Sequence, residues 1–379
     1  MPNHTSARAF PYLIAAVTGR SLAASAARGG HRAVVLDCFA DRDTRGLAAA
    51  CHPVGREDAI RFDGRALLSA AAAAAPLRSS AGLVYGGGFE ARIPLLARLA
   101  RGRTLYGNRP EIVAAVKDPQ RFFRLLDRLG VRHPTVRFER PHRAAGWLIK
   151  EPGGAGGAHV RPADQGRAPA GAYFQRFEVG QCLSVLFLAD GARARVLGFS
   201  RQWTAPARKA RPFLYGGAAG GAHLPARVES DLRTTIDLLV NATGLVGLNG
   251  LDFLQRGNEW LALEVNPRPT ATLDLYDPDY PSGLFDWHLR ACGGELPERA
   301  ARPRAARAHG IVYLSGSARM SDNLRFHRWC RDVPMPGTYL QPGDPVCTVH
   351  ASAPDPHLAV ALLGRRQAVM QQALLGRAA

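Results

Sequence analysis

Lysine is nearly missing from this chain: of 49 basic residues in 379, only Lys117, Lys150 and Lys209 are lysines. So strong a preference for arginine, beside many Ala, Gly and Pro, reads as a compositional bias of the source. It also makes the position of each lysine informative. No run of eighteen apolar residues occurs, which excludes a membrane-spanning helix by length. No C-x-x-C pair and no Cys/His group with zinc spacing exists, so a zinc ribbon or finger is excluded. The six cysteines (Cys38, Cys51, Cys182, Cys292, Cys330, Cys347) are scattered, as in a reduced, cytoplasmic protein. Acidic residues number 31, leaving a net charge of +18. That excess is spread as single arginines rather than gathered into a block, and no nucleic-acid-binding motif accompanies it. The composition therefore argues against nucleic acid as the main partner. Arg8 ahead of Ala9 to Val17 imitates a short secretory leader. Thr18-Gly19-Arg20 follows with no small-residue cleavage pattern, so a first strand is the better reading.

What is present is an α/β chain long enough for two or three domains. Pro11 to Val17, the Ala-rich helix Leu22 to Arg28 and the strand Ala33 to Asp37 read as β-α-β, as in an open parallel sheet. Gly82 to Tyr85 is a further strand ending in Gly86-Gly87-Gly88, with Glu90 just beyond, and Leu105 to Asn108 closes this region. Two motif readings at Gly19-Arg20-Ser21-Leu22-Ala23 are incomplete. A nucleophile elbow lacks its final glycine, and a dinucleotide fingerprint lacks its second and third. Loops at the carboxyl ends of parallel strands commonly face a ligand, so Arg20, Ser21, Gly87 and Glu90 are substrate-side candidates.

The most informative stretch is Asp252 followed by Glu264-Val265-Asn266-Pro267-Arg268. Two apolar runs flank the turn signal Gln255-Arg256-Gly257-Asn258, which predicts a β-hairpin with Asp252 opposite, or one residue off, Glu264. Alternation along a strand puts Glu264, Asn266 and Arg268 on one face. Two carboxylates and an amide oxygen are hard ligands suited to Mg²⁺, and the arginine offers a fixed fork to an oxyanion. An exposed hairpin accounts for Gln255, Arg256 and Asn258. It accounts poorly for Asp252 among Leu251, Phe253 and Leu254, because an acid there is costly to bury alone.

Upstream, the strand Trp147 to Lys150 runs into Glu151-Pro152-Gly153-Gly154-Ala155-Gly156-Gly157. A strand-terminal lysine before a glycine-rich loop suits close backbone approach to phosphate. Tyr173 to Phe177 and Ser184 to Leu188 are the next strands, joined through Gly180. Trp203 to Gly221 reads as a long Pro/Gly/Arg-rich lid loop carrying Lys209. Val228, Leu232, Ile236, Leu239 and Val240 mark an amphipathic helix. After the linker Pro297 to Arg304 come strands near Gly310 to Leu314 and Pro345 to His350, then a helix from His357 to Leu375. Gly343-Asp344-Pro345-Val346 looks like the cap of a biotin-linked enzyme, but no lysine follows Lys209, which excludes covalent biotin or lipoyl attachment there.

Lys117, Lys150 with its glycine loop, a Gln-x-Phe strand, Asp252 and Glu264-x-Asn266-x-Arg268 occur in one order. In this the sequence resembles the ATP-grasp superfamily of carboxylate–amine (or thiol) ligases over residues 105 to 275, and residues 1 to 105 resemble the domain that precedes it. The resemblance implies a Rossmann-like parallel-sheet domain over 1–108 and an ATP-grasp domain over 109–295 with its lid at about 130–190. A C-terminal extension over 305–379 would pack on the core. It implies that Lys117 and Lys150 contact the ATP phosphates under a flap of Gly153, Gly154, Gly156 and Gly157. Gln175, Arg176 and Phe177 would meet the adenine, with Phe174 or Phe177 on its face. Asp252, Glu264 and Asn266 would hold two Mg²⁺ ions, with Lys209 or Arg211 closing over the γ-phosphate. Arg268, with Lys150, would carry the catalysis by stabilising the acyl phosphate. In one respect the chain departs from the family: where many members carry an acid for the ribose, it has Gln181 and Cys182. The partners implied are a small-molecule carboxylate and an amine, with homo-oligomer formation left open. The layout further resembles ATP-grasp carboligases of bacteria with pterin- or furan-dependent one-carbon pathways, implying an amide or glutamyl bond in such a cofactor. A biotin-independent carboxylase and a non-catalytic nucleotide-binding or nucleic-acid-associated protein are the alternatives.

Overall fold

The computed structural model describes residues 10–56, 59–205 and 211–375. Its N-terminal part is a parallel sheet of β1 (Tyr12–Ala15), β2 (Ala33–Asp37), β3 (Ala50–Pro53), β4 (Gly82–Tyr85) and β5 (Leu105–Tyr106), in the order 3-2-1-4-5. The residues of β1, β2 and β4 are buried throughout. This is why these strands read as short continuous apolar runs rather than alternating ones. Helices α1 (Arg20–Arg28), α2 (Arg42–Leu47), α3 (Gly64–Ala74) and α4 (Ile93–Ala100) connect them. The alanine run lies inside α3, where Leu67 and Ala71 are its buried residues.

Helices α5 (Pro110–Lys117) and α6 (Pro119–Arg128) follow, each with proline in its first turn. Asp118 caps α6 by accepting a hydrogen bond from the Arg121 N–H at 2.9 Å. A small antiparallel sheet is next: β6 (Val136–Arg137), β7 (Trp147–Lys150), β8 (Val160–Pro162) and β9 (Tyr173–Arg176), in the order 6-9-7-8. It is closed by Ile149, Ala163 and Phe174.

The largest sheet joins β10 (Gln181–Asp190), β11 (Ala194–Thr204), β12 (Tyr215–Gly220), β13 (Val246–Arg256) and β14 (Glu259–Asn266) to the C-terminal strands. These are β15 (Ala306–Tyr313), β17 (Cys330–Arg331) and β19 (Pro345–Ala353), and the order is 14-13-10-11-12-15-19-17. Strands β16 (Ala318–Arg319) and β18 (Tyr339–Leu340) pair separately. Helix α7 (Ala226–Thr243) lays Val228, Leu232, Ile236, Leu239 and Val240 into the core and stops at Gly244, whose φ of +71° suits glycine. On the other side lie α8 (Leu273–Tyr276) and α9 (Gly283–Cys292), packed with α1. The last helix, α10 (Pro356–Leu375), buries Ala359, Leu363 and Met370 against β15 and β19.

The lid expected from Trp203 to Gly221 is shorter than the sequence suggested. Residues 215–220 form β12, bonded to β11 and β15. Its Tyr-Gly-Gly-Ala-Ala-Gly sequence has little strand propensity. Small residues are needed there: a side chain at Gly216 would meet the Thr204 backbone, and one at Gly217 the His309 carbonyl and the Trp203 ring.

Candidate active site

The hairpin sets the geometry. Asp252 is the direct partner of Glu264, and Gly250 of Asn266, with an irregularity in the ladder just after Asp252. The turn runs through Gly257, whose φ is +55°. On one face the Asn266 amide donates to Asp252 Oδ2 at 2.9 Å, and Gln202 Nε2 donates to Asp252 Oδ1 at 3.0 Å. Lys117, at the end of α5, donates to Glu264 Oε2 at 3.0 Å and to Asn266 Oδ1 at 3.2 Å. Burial and the neighbouring Glu264 charge push Asp252 up. Burial opposes the Glu264 charge as well, but Lys117, Lys150 and His159 outweigh it and hold Glu264 below the usual carboxylate range. Two acids this close stay charged together only with added positive charge between them. An oxygen-rich site of this kind fits a hard divalent cation.

Lys150 ends β7 and is buried; its ammonium donates to Gln175 Oε1 at 3.3 Å and lies 5.9 Å from the Tyr173 ring centre. That leaves Gln175 Nε2 buried without a partner among the described residues. The same holds for Ser184 Oγ, whose residue is the direct cross-strand neighbour of Asp252. Orphaned donors beside two lysines and an acid pair are what a polar, anionic ligand would satisfy.

The glycine loop closes toward β12. Tyr215 N–H donates to Gly156 O at 2.9 Å, and Val160 N–H to Gly157 O at 3.2 Å. Gly153, Gly156 and Gly157 have φ of +73°, +64° and +72°. A side chain on Gly157 would collide with the Phe213 carbonyl. Glycine is thus a packing requirement at Gly153, Gly154 and Gly157, while Gly156 has open space and only its positive φ favours glycine.

Arg268 lies against Gly87, pairs with Glu90 and donates to Pro269 O at 3.1 Å, with its third donor directed at Asn266 Oδ1 at 3.5 Å. Glu90 also accepts from Gly88 N–H at 2.8 Å. Burial works against the Glu90 charge, yet Arg268 and then Lys117 keep its carboxyl lowered. Gly87 and Glu90 therefore join the hairpin face across the boundary between the two sheets.

The other expected residues have partners or settings of their own. Arg20 is buried in its own cluster, bidentate to Asp274 at 2.9 and 2.5 Å and 3.1 Å from Asp332. Ser21, its neighbour on α1, is half-buried. Arg176 and Phe177 N–H groups are already spent on Thr135 O and Gly146 O, at 2.8 and 2.9 Å. Phe174 is buried in the small sheet, whereas Phe177 is exposed with its ring 6.4 Å from that of Phe213. Gln181 is exposed at the start of β10, and Cys182 beside it is half-buried. Lys209 lies outside the described residues. Gln202, on Asp252, and His159, within electrostatic reach of Glu264, belong to the same site and carry no sequence signal of their own.

Three comparisons bear on this geometry. Residues 116–272 match the family model described as the ATP-grasp domain. Among solved structures, the chain resembles the biotin carboxylase of Campylobacter jejuni in complex with β-γ-ATP, at 14% identity and a TM-score of 0.70. The match covers 92% of this chain and 89% of that one. It also resembles the biotin carboxylase domain of Hydrogenobacter thermophilus 2-oxoglutarate carboxylase, in complex with MgADP, ADP and bicarbonate. Identity there is 12% and the TM-score 0.71, over 94% of this chain and 89% of the other. The N5-carboxyaminoimidazole synthase of Aspergillus clavatus, in complex with ADP and 5-aminoimidazole ribonucleotide, is similar at 11% identity and a TM-score of 0.67. That match covers 96% and 99% of the two chains. At these identities the likeness shows the fold. No curated protein sequence matches.

Proposed function

We propose, from the premise that residues 116–272 form an ATP-grasp domain, that this protein is an ADP-forming ligase that joins a carboxylate to an amine. The observation that carries the reading is the convergence of Asp252, Glu264 and Asn266 with Lys117, close to Lys150 and to the Glu90-held Arg268. Bound there, Mg²⁺ (two ions in this reading) would neutralise phosphate charge, held by Asp252, Glu264 and Asn266.

The chemistry follows from charge. A carboxylate is a poor electrophile, so one of its oxygens attacks the γ-phosphorus of ATP, the bond to the β-phosphate oxygen breaks and ADP leaves. The amine then attacks the acyl carbon, the C–O bond to phosphate breaks, and the amine gives up a proton. Positioning and electrostatic stabilisation account for such a transfer without a protein nucleophile. Lys117 exchanges Glu264 for phosphate oxygens, and Lys150 exchanges the Gln175 amide oxygen. Three of the five N–H donors of Arg268 have acceptors among the described residues. The remainder meet the acyl-phosphate oxyanion. The glycine loop excludes water by docking on Phe213 to Tyr215.

A screen of acid and amine pairs, scored by ADP release and product mass in the presence of Mg²⁺, tests the reading. If Glu264→Ala left such turnover unchanged, the proposal would fail. Carboxylation through carboxyphosphate is a second reading, favoured by the fold shared with biotin carboxylases and the aminoimidazole synthase. It predicts bicarbonate-dependent ADP release without another acid. Nucleotide binding with no turnover across the screen would point to a non-catalytic protein. The finer reading, an amide or glutamyl bond in a pterin- or furan-type cofactor made in the cytoplasm, rests on sequence resemblance and is tested by including those acids.

A further inference from the structure

Resting on the Mg–ATP reading above, we infer that Gln202 is the positioning residue of the metal site. Its side-chain amide holds Asp252, and through Asp252 the amide of Asn266, in the orientation that a divalent cation meets. Gln202 is half-buried near the end of β11, between Arg201 and Trp203, with no motif around it.

The hydrogen bond crosses a strand. Gln202 stands on β11 and Asp252 on β13, with β10 between them. Ser184 on β10 pairs on one side with Asp252 and on the other with Ser200, two residues before Gln202. Paired and next-but-one residues share a face of a sheet, so Asp252, Ser184, Ser200 and Gln202 lie on the same face. The residues at 184 and 200 are serines, whose short side chains leave the longer glutamine room to reach Asp252 Oδ1, at 3.0 Å.

The amide orients more than one ligand. An ionised carboxylate only accepts, so both neighbouring amides turn their N–H groups toward it: Gln202 Nε2 to Oδ1, and Asn266 Nδ2 to Oδ2 at 2.9 Å. This fixes the other end of the Asn266 amide, whose Oδ1 accepts from Lys117 Nζ at 3.2 Å. The same ammonium lies 3.0 Å from Glu264. The three groups assigned to the metal are thus linked in one chain, with Gln202 at one end and Lys117 beside the other two. In the reading above Lys117 moves to phosphate oxygens, whereas Gln202 has no second role there. Being neutral, it adds no charge that would repel a cation, and Asp252 Oδ1 keeps a second lone pair. A donor behind a metal-binding carboxylate sets its direction and supports metal affinity.

Mn²⁺ serves as the spectroscopic probe, since it takes the oxygen ligands that suit Mg²⁺. Free Mn²⁺ is counted by electron paramagnetic resonance during titration of wild type, Gln202→Met and Gln202→Ser, each with excess ADP. Urea midpoints are measured without metal. The expected result is a Mn²⁺ affinity about 10- to 100-fold weaker in both variants, with cooperative unfolding retained. Methionine matches glutamine in length but has no N–H, and serine is polar but too short to reach Asp252. Either variant decides the question if the other does not fold. A lowered urea midpoint with Mn²⁺ affinity within about twofold of wild type would mark a structural contact only. That result overturns the inference and leaves the Mg–ATP reading in place. Wild-type protein that takes up no Mn²⁺ with ADP present overturns that reading, and the inference with it.

Discussion

Lys117 Nζ lies 3.0 Å from Glu264 Oε2, its own side chain almost fully covered while that of Glu264 is 31% exposed. The pair joins the last residue of α5 to β14, so in the proposed reading the metal-binding acid is held by a cation that also meets the nucleotide. Replacing one partner leaves the other in a polar pocket with less compensation. Lys117→Met is expected to cost about 1–3 kcal/mol of stability without ligand and at least about 10²-fold in Mg-dependent ADP release. Denaturant titration with and without Mg²⁺ checks it. Magnesium should restore more stability to the variant than to wild type, because the metal substitutes for the missing charge. Equal stabilisation of the two would contradict this.

A second pair crosses a longer span of sequence. Glu90 and Arg268 are 178 residues apart and both largely buried, so each is the other's compensation. Glu90→Ala is expected to destabilise by about 3–5 kcal/mol, while Glu90→Ala combined with Arg268→Met loses much less than the sum of the single changes. A double-mutant cycle by urea unfolding measures the coupling. Additive losses would show the pair to be incidental.

Gly157→Ala probes the flap. The added methyl would run into the Phe213 carbonyl, and φ of +72° disfavours any side chain. The expected outcome is an unchanged melting temperature, a KM for ATP raised at least about tenfold, and faster cleavage between residues 151 and 158 in limited proteolysis. A variant with wild-type protection there would refute the docking role.

Acid should weaken the fold through its buried histidines. His288 accepts from Leu248 N–H through Nδ1 at 2.8 Å and faces Tyr106 O through Nε2 at 3.1 Å, which fixes one neutral tautomer. Burial lowers it to about 4, and burial lowers His309 to about 4 as well. The unfolded chain, with histidine near 6.5, binds protons that the folded state refuses. Stability is therefore full above about pH 6.5 and declines as pH falls toward 4, by up to roughly 3 kcal/mol for each histidine. Urea midpoints between pH 7.5 and 4.5 test this. His288→Gln should have a shallower acid slope than wild type, and an identical slope would be inconsistent with a buried neutral His288.

How far the sequence reached depends on the separation of the interacting groups. The register of Asp252 against Glu264 was readable because Gly257-Asn258 fixes the turn and strand alternation does the rest. Strands β1, β2 and β4 were readable as apolar runs, whereas β3, Ala-Cys-His-Pro at the sheet edge and only half-buried, was not read. The β12 strand was hidden, since its glycines answer to the Thr204 and His309 backbones and the Trp203 ring, which come from other elements. Glu90 was placed only as a loop acid, with no local trace of the arginine it holds. The Lys117 position was meaningful only because lysine is so scarce in the chain. Gln202 was invisible because a bond that crosses β10 to reach Asp252 is a property of the folded neighbourhood, not of a spacing.

The continuity of the large sheet has a practical consequence. Strand β12 is bonded on its far side by β15, and β15 by β19, so the backbone of the C-terminal region completes the hydrogen bonding of the sheet that carries the Asp252–Glu264 hairpin. Trimming the chain near residue 305 would not release a tidy catalytic module. It would strip β12 of its neighbour and leave a row of unpaired amides and carbonyls on a glycine-rich edge, open to pairing with another chain. An expression vector for this protein should carry everything through α10, and a shortened product should be tested for aggregation before any lack of the proposed activity is ascribed to its chemistry.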